Sequence, residues 1–375
     1  MNPVLLLSAV VATLAVGTIG LGVAFGRRVV GDYGHGSVRI ISASATSITF
    51  RADRKTRQTG TFGLWFAGGH ALVGAVTSTA DDGNSVERVL VSSEGPLETA
   101  KRGIWEGDVF RSPDVVGPYR DVVINSPAGP SPAWQFDGAD AITWAIHVHG
   151  IRTTRINAIR TVPALLAEGM TSLVIAYRGD GDGPPLRGGS MSLGLNEWQD
   201  LEGAIEFAVS QGAEKILLVG WSMGASMVLL ATERSQHRDL IAGLILVSPP
   251  TDWRATMKNG AKQLGIPFPG ACAKLAEAVL SHPLLCKLTG LMSPIDFEHL
   301  DWLTPGRLQT PCLVIHSPGD RTVPIKLSRQ FAEVNPELVE LYESAPTDHA
   351  WEYNIEPDAF NRAISGWLGR PTLPQ

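Results

Sequence analysis

The chain has 375 residues, 44% of them apolar and 18% charged, a balance that excludes a disordered polypeptide and gives length for one large domain plus an accessory one. Its net charge of -6 comes from interspersed acids and bases, so there is no basic stripe for a nucleic acid to bind, and nucleic acid is set aside as a partner. The three cysteines, Cys272, Cys286 and Cys312, match no zinc spacing, and their odd number leaves at least one thiol unpaired; a Cys272–Cys286 bridge stays open for an exported domain.

The first element along the chain is Val4 to Phe25, an uncharged apolar run of about 22 residues, enough to cross a bilayer as a helix. Arg27 and Arg28 follow it, and the only positive charge before it is the terminal amine. That charge bias predicts a retained single-pass membrane anchor over residues 1–28 with the body in the cytoplasm, an export signal and, after it, a buried helix being the alternatives. Residues 29–117 read as a small β-rich domain. Ser37 to Phe50 alternates apolar and polar residues, and Gly63 to Val76 with Val86 to Ser92 continues the pattern between glycines. No chemistry is assigned to it: His35 and His70 sit beside glycines in expected loops. The domain could orient its neighbour, bind a partner or cover a sheet edge.

From about Pro118 to residue 370, strands alternate with helices, which predicts an α/β domain with a mostly parallel sheet flanked by helices on both faces. The expected strands are Asp121–Asn125, Trp134–Phe136, Thr143–Val148, Ser172–Tyr177, Lys215–Val219, Leu240–Val247, Cys312–His316 and Leu338–Tyr342. Helices are expected at Arg160–Glu168, Glu197–Ser210, Ala225–Arg234 and Ala359–Leu368. Residues 251–309 are too long for a simple crossover. Their helical stretches Ala271–Leu280 and Leu284–Leu291 read as an apolar cap inserted near the strand ends, or else as a helix pair packed on the sheet.

Gly220-Trp221-Ser222-Met223-Gly224 follows an apolar strand and opens a helix, the setting in which a serine hydroxyl stands clear as a nucleophile. A serine needs a neighbouring base, and the base a carboxylate to orient it. His349 follows the last expected strand and precedes the last helix, which returns it to the edge where Ser222 emerges. Asp320 lies in a turn-rich loop directly after a strand, at that same edge; Asp252, after the preceding strand, is its rival. Two N–H donors must hold a developing oxyanion. Met223 supplies one, and Ile151, behind Gly150 at the end of an early strand, supplies the other. His147 and His149 are read as supports for that loop, His316 as ordering the loop after its strand, and Tyr177 to Gly183 as a structural turn near the pocket. No metal site is inferred.

Together, His149-Gly150, Tyr177-Arg178-Gly179, Gly220 to Gly224, Pro318 to Pro324 and Asp348-His349 resemble the α/β-hydrolase superfamily over roughly residues 118–370, most of all bacterial esterases related to monoacylglycerol lipases and to the prolyl-peptidase-like branch. The resemblance implies a nucleophile at Ser222, an acid at Asp320, a base at His349 and oxyanion donors at Met223 and Ile151. Two departures stand out. The N-terminal anchor and β-domain lie outside the superfamily core, and Ile151-Arg152-Thr153-Thr154-Arg155 replaces the glycine-rich run of hormone-sensitive-type lipases. The expectation is a serine hydrolase that cleaves carboxylic esters without a cofactor, its small-molecule substrate acyl-bearing or lipid-like. An acyltransferase or a peptidase using the same residues, or a binding scaffold without turnover, are the alternatives. Nothing in the sequence fixes the oligomeric state.

Overall fold

Residues 3–31 and 36–370 are described in a computed structural model, with side chains from Gly17 onward. Helix α1 (Pro3–Val30) leads into a closed six-stranded barrel of β1 (Ser37–Ala43), β2 (Ser47–Arg51), β3 (Phe62–Phe66), β4 (Gly69–Thr79), β5 (Ser85–Glu94) and β6 (Arg102–Glu106), in the order β1-β2-β5-β4-β3-β6. Alternation along each strand sends Val38, Ile40, Ile48, Phe50, Phe62 and Leu64 inward. Pairing of β1 with β6 then leaves no free edge, a closure that alternation alone does not reveal.

One inward residue is charged. The fully buried Arg88 guanidinium donates to the carbonyls of Gly74 at 2.8 Å, Thr56 at 2.9 Å, Gln58 at 2.5 Å and Gly60 at 2.8 Å, and lies over the rings of Phe62 and Trp105. Burial lowers its pKa to about 10, still charged at neutral pH. Its hydrogen bonds stabilise the loop between β2 and β3.

The second domain is an eight-stranded sheet: β7 (Arg120–Ser126), β8 (Gly129–Phe136), β9 (Asp140–Val148), β10 (Met170–Ile175), β11 (Lys215–Trp221), β12 (Ile241–Val247), β13 (Cys312–His316) and β14 (Val339–Glu343). The order is β14-β13-β12-β11-β9-β10-β8-β7. β8 is antiparallel to both its neighbours, β7 and β10, and the other pairs are parallel. The central strands are buried on both faces and so read as continuous apolar runs, Ile216 to Val219 being typical.

The helices are α2 (Arg155–Ala158), α3 (Val162–Ala167), α4 (Trp198–Ser210), α5 (Met223–Arg234), α6 (Trp253–Gln263), α7 (Pro269–Leu280), α8 (Ile325–Val334), α9 (Glu352–Ile355) and α10 (Pro357–Leu368). Leu201, Ile205, Val228 and Leu229 of α4 and α5 fill one face of the sheet. Val162, Leu165, Phe360, Ile364 and Trp367 of α3 and α10 fill the other. The insertion departs from expectation at both ends. Its first helix, α6, was not foreseen, because its narrow buried stripe of Trp253, Thr256, Met257 and Ala261 lies among polar residues. The expected helix at Leu284–Leu291 shrinks to a 3-10 turn, Leu285–Thr289, stopped by Gly290 in the left-handed region.

The membrane anchor is corrected. Among the described residues no helix is long and apolar enough to cross a membrane, which overturns the single-pass anchor and the cytoplasmic placement deduced from it. Where its side chains are described, α1 is seated on the protein itself. Phe25 and Val30 are buried in the core of the α/β domain, a Cβ on Gly22 would meet the Leu275 carbonyl of α7 at 2.9 Å, and Gly26 packs beside Leu280 and Thr289. The side chains of residues 4–16, like His35, lie outside the described residues. His70 is not in a loop: it is buried on β4 with Nε2 at 3.2 Å from the Asp108 carbonyl.

Candidate active site

β11 ends at Trp221, and Ser222 takes φ 50° and ψ -118° before α5 begins. An L-residue in that conformation is strained and persists only where its surroundings hold it. Two backbone hydrogen bonds do so, from Ser222 N–H to Val247 O and from Ala225 N–H to Ser222 O, both 2.9 Å. The flanking glycines make the turn sterically feasible. A Cβ on Gly220 would lie 2.6 Å from Ala225 Cα, and one on Gly224 would lie 2.4 Å from the Val148 carbonyl.

Ser222 Oγ is 2.7 Å from His349 Nε2, and His349 Nδ1 is 2.6 Å from Asp320 Oδ2. The three residues come from three loops at the carboxyl end of the sheet, after β11, β13 and β14. Asp320 is fixed twice over. Its Oδ1 accepts the N–H groups of Thr322 and Val323, and its Oδ2 also meets His316 Nε2 at 3.0 Å. His316, wholly buried and held through Nδ1 by Ser328 at 2.7 Å, thus orients the acid as well as its loop. Asp252 is elsewhere: it caps α6, accepting from the N–H groups of Arg254 and Ala255.

Burial pushes the Asp320 carboxyl up, but the His349 charge and the hydrogen bonds from His316 and His349 outweigh it and leave it well below the usual carboxylate range. Burial works to lower His349 too. The charge and hydrogen bond of Asp320, with a further contribution from Glu352, win and hold it above the ordinary histidine value. Glu352 is itself buried and raised by desolvation, its Oε1 accepting from Ser248 Oγ at 2.5 Å and from Ser317 N–H at 3.2 Å. After His349 the chain turns through Ala350 at φ 59°, whose carbonyl accepts from Arg160 Nη1 at 2.8 Å.

Met223 opens α5, so its N–H is one of those a helix leaves without an intrahelical acceptor. Facing it is the turn at Gly150 and Ile151, where a Cβ on Gly150 would sit 3.1 Å from Ser222 Cβ. His149 Nε2 lies 2.9 Å from Asp180 Oδ2, Tyr177 stacks on His149 at 4.2 Å, and the Tyr177 hydroxyl donates to Gly150 O at 2.8 Å. Asp180 also accepts the N–H groups of Tyr177, Asp182 and Gly183, so the acidic loop braces the turn. His147 lies farther back, with Nδ1 2.7 Å from Thr161 Oγ1.

A pocket of about 240 Å³ opens over Ser222 and His349, walled by Ile151, Val29, Trp253, Val323 and Trp351. Val29 belongs to α1, and Glu106, also on the wall, to the barrel. Arg152, next to Ile151 and at φ 62°, donates to the carbonyls of Arg28, Val29 and Gly31, which satisfies the C-terminal end of α1 and ties it to the site. Sequence reasoning missed Val29, Glu106, Arg152 and Trp351. Of these only Trp351 carried a signal, a large aromatic two residues after the expected base. Cys272, Cys286 and Cys312 are buried free thiols, with no bridge between the first two.

A model of the alpha/beta hydrolase family matches residues 138–363, and a domain of unknown function, DUF8805, matches residues 37–106. No curated protein matches the chain. Among solved structures, the chain is similar to the Pyrococcus furiosus esterase Pf2001 in two crystal forms. In one, identity is 19% over 69% of this chain and 95% of that one, with a TM-score of 0.52. In the other, identity is 19% over 69% and 94%, with a TM-score of 0.53. A thermophilic esterase from Thermogutta terrifontis is 20% identical over 66% of this chain and 98% of that one, with a TM-score of 0.46. At these identities the likeness is one of fold.

Proposed function

The chain belongs to the alpha/beta hydrolase family and is an enzyme of that hydrolase type, and from that premise we propose that it cleaves carboxylic esters through Ser222, His349 and Asp320. His349 Nε2 takes the Ser222 proton as Oγ attacks the ester carbonyl, and Asp320 stabilises the imidazolium that forms. The N–H groups of Met223 and Ile151 hold the tetrahedral oxyanion. Collapse expels the alcohol, which takes the proton from His349. Water then attacks the acyl-enzyme with His349 again as base, and the acid leaves. The observation that carries this reading is the unbroken chain of short contacts from Ser222 Oγ through His349 to a buried Asp320.

The ester as substrate agrees with the esterase of like fold from Pyrococcus furiosus. An apolar, lipid-like acyl group suits walls made of Val29, Trp253, Val323 and Trp351. The test is hydrolysis of p-nitrophenyl esters of increasing acyl length, with a fluorophosphonate probe reporting on the serine. Ser222→Ala should lose turnover by on the order of 10⁴ to 10⁶ and all labelling, with the fold intact by circular dichroism. Undiminished hydrolysis by that variant would refute the mechanism. A flat or falling response to acyl length would refute the lipid-like substrate.

A further inference from the structure

The segment that carries His349 is built into the N-terminal barrel. Asp348, the residue before it, is buried, its side chain 9% exposed, and its Oδ2 ion-pairs with Arg54 from the β2–β3 loop of the barrel while making no hydrogen bond. Trp351, two residues after it, sits in the barrel core with its ring 4.9 Å from Phe62 and the Lys55 amine above it. Asn354 completes the seam, donating from Nδ2 to Thr61 O at 2.7 Å and Gly107 O at 3.1 Å, while Thr61 N–H donates to Asn354 O at 2.8 Å. From the opposite side Arg160 holds the Ala350 carbonyl and Asn354 Oδ1. The barrel loop is no loose arm, because Arg88 binds the carbonyls of Thr56, Gln58 and Gly60.

We propose that the barrel is a working part of the active site, and that Arg54 is a positioning residue which, through Asp348, holds the His349 segment and balances the charge beside it. The inference rests on the reading of His349 as the base. Ser222 and Asp320 touch His349 and Glu352 acts on it through its charge, while His316 stands behind Asp320, Asp348 is next in the chain and paired with Arg54, Arg321 lies near Arg54, Lys55 lies over Trp351, and Glu106 lines the same pocket. Removing the Arg54 cation leaves the buried Asp348 carboxylate without its counter-charge. An uncompensated anion next to His349 favours the imidazolium. The base is then protonated over a wider range, and the acid limb of the pH profile moves to higher pH. A freed segment also lets His349 drift from Ser222, which lowers kcat and spares KM.

The experiment measures kcat and KM against pH for the full chain with p-nitrophenyl butyrate, alongside fluorophosphonate labelling and thermal melting. Arg54→Ala should move the acid limb up and cut kcat by roughly 3- to 10-fold with KM little changed. Arg54→Lys should restore the limb, and Arg54→Ala with Asp348→Asn should bring it back to or below the wild-type position. Should Arg54→Ala fail to fold, Asp348→Asn alone answers the question: with Arg54 in place and the anion gone, its limb should move down. An acid limb indifferent to residues 54 and 348, or one that Asp348→Asn does not bring down, overturns the inference. A wild-type protein that neither labels nor hydrolyses the ester overturns the reading on which it rests, whereas one that does both while ignoring residues 54 and 348 overturns the inference alone.

Discussion

His349 meets a hydroxyl on one ring nitrogen and a carboxylate on the other, and the carboxylate decides when the ring is neutral. A base must be unprotonated to act, and Asp320 raises His349 above its ordinary value of 6.5, so the acid limb of kcat/KM should lie above that pH. Activity is lost as pH falls through the raised value. Asp320→Asn removes the charge that raises it, and with the amide oxygen held by the Thr322 and Val323 N–H groups it turns an N–H donor toward His349. Its limb should shift to lower pH, and kcat should fall by roughly 10⁴; a variant with an unmoved limb would show that Asp320 does not set the protonation of His349. At this scale the sequence was legible where local chemistry was decisive. Ser222 announces itself by two glycines between a strand and a helix, and Asp320 by the turn residues after β13. Arg54 and Asp348 did not, because their pairing depends on how two domains dock and leaves no spacing to read.

Elements carry the site as much as side chains do. The first turn of α5 crosses β9 so closely that a methyl group on Gly224 would overlap the Val148 and His149 carbonyls, at 2.4 and 2.6 Å. Those atoms are backbone and cannot swing away. Gly224→Ala should therefore cost about 1–3 kcal/mol or more, measured by urea denaturation, and reduce fluorophosphonate labelling because the Ser222 turn shifts. Wild-type stability with full labelling would mean that α5 has room to move. The parallel strands were readable because strands buried on both faces are continuous apolar runs, and β13 was placed at Cys312–His316 as found. α6 was hidden by its polar face, and closure of the barrel depends on β1 meeting β6 across more than sixty residues of chain, roughly the kind of nonlocal pairing that no local pattern encodes.

At the scale of the whole molecule, three parts that are separate in sequence share one pocket: the end of α1 through Val29, the barrel through Glu106, and the α/β domain through Ser222 and His349. Trp351 belongs to the barrel core although the strands that make that barrel ended at Glu106. Trp351→Ala should cost about 3–5 kcal/mol and split a single calorimetric transition into two, since it removes the side chain by which the α/β domain fills the barrel core. One unsplit transition at the wild-type temperature would show that the seam does not join their unfolding. The apolar run near the N-terminus was legible as a helix but not as to its partner. The same Phe25 that would suit lipid also suits the core of the α/β domain, and hydropathy does not distinguish the two.

The place of Trp351 in the chain gives the molecule an order of assembly. A ribosome makes the six strands of the barrel early, then roughly 250 further residues before the tryptophan that fills it, which at about 5–20 residues per second is a delay of some 10–50 seconds. Until then Phe62 lacks the Trp351 ring that packs on it in the folded protein, at 4.9 Å between ring centres. The segment that fills the barrel with Trp351 also carries His349, two residues earlier, to within 2.7 Å of Ser222 Oγ. One stretch of chain thus completes the barrel core and the Ser222–His349 contact together, so neither is in place in a chain that has not yet reached residue 351.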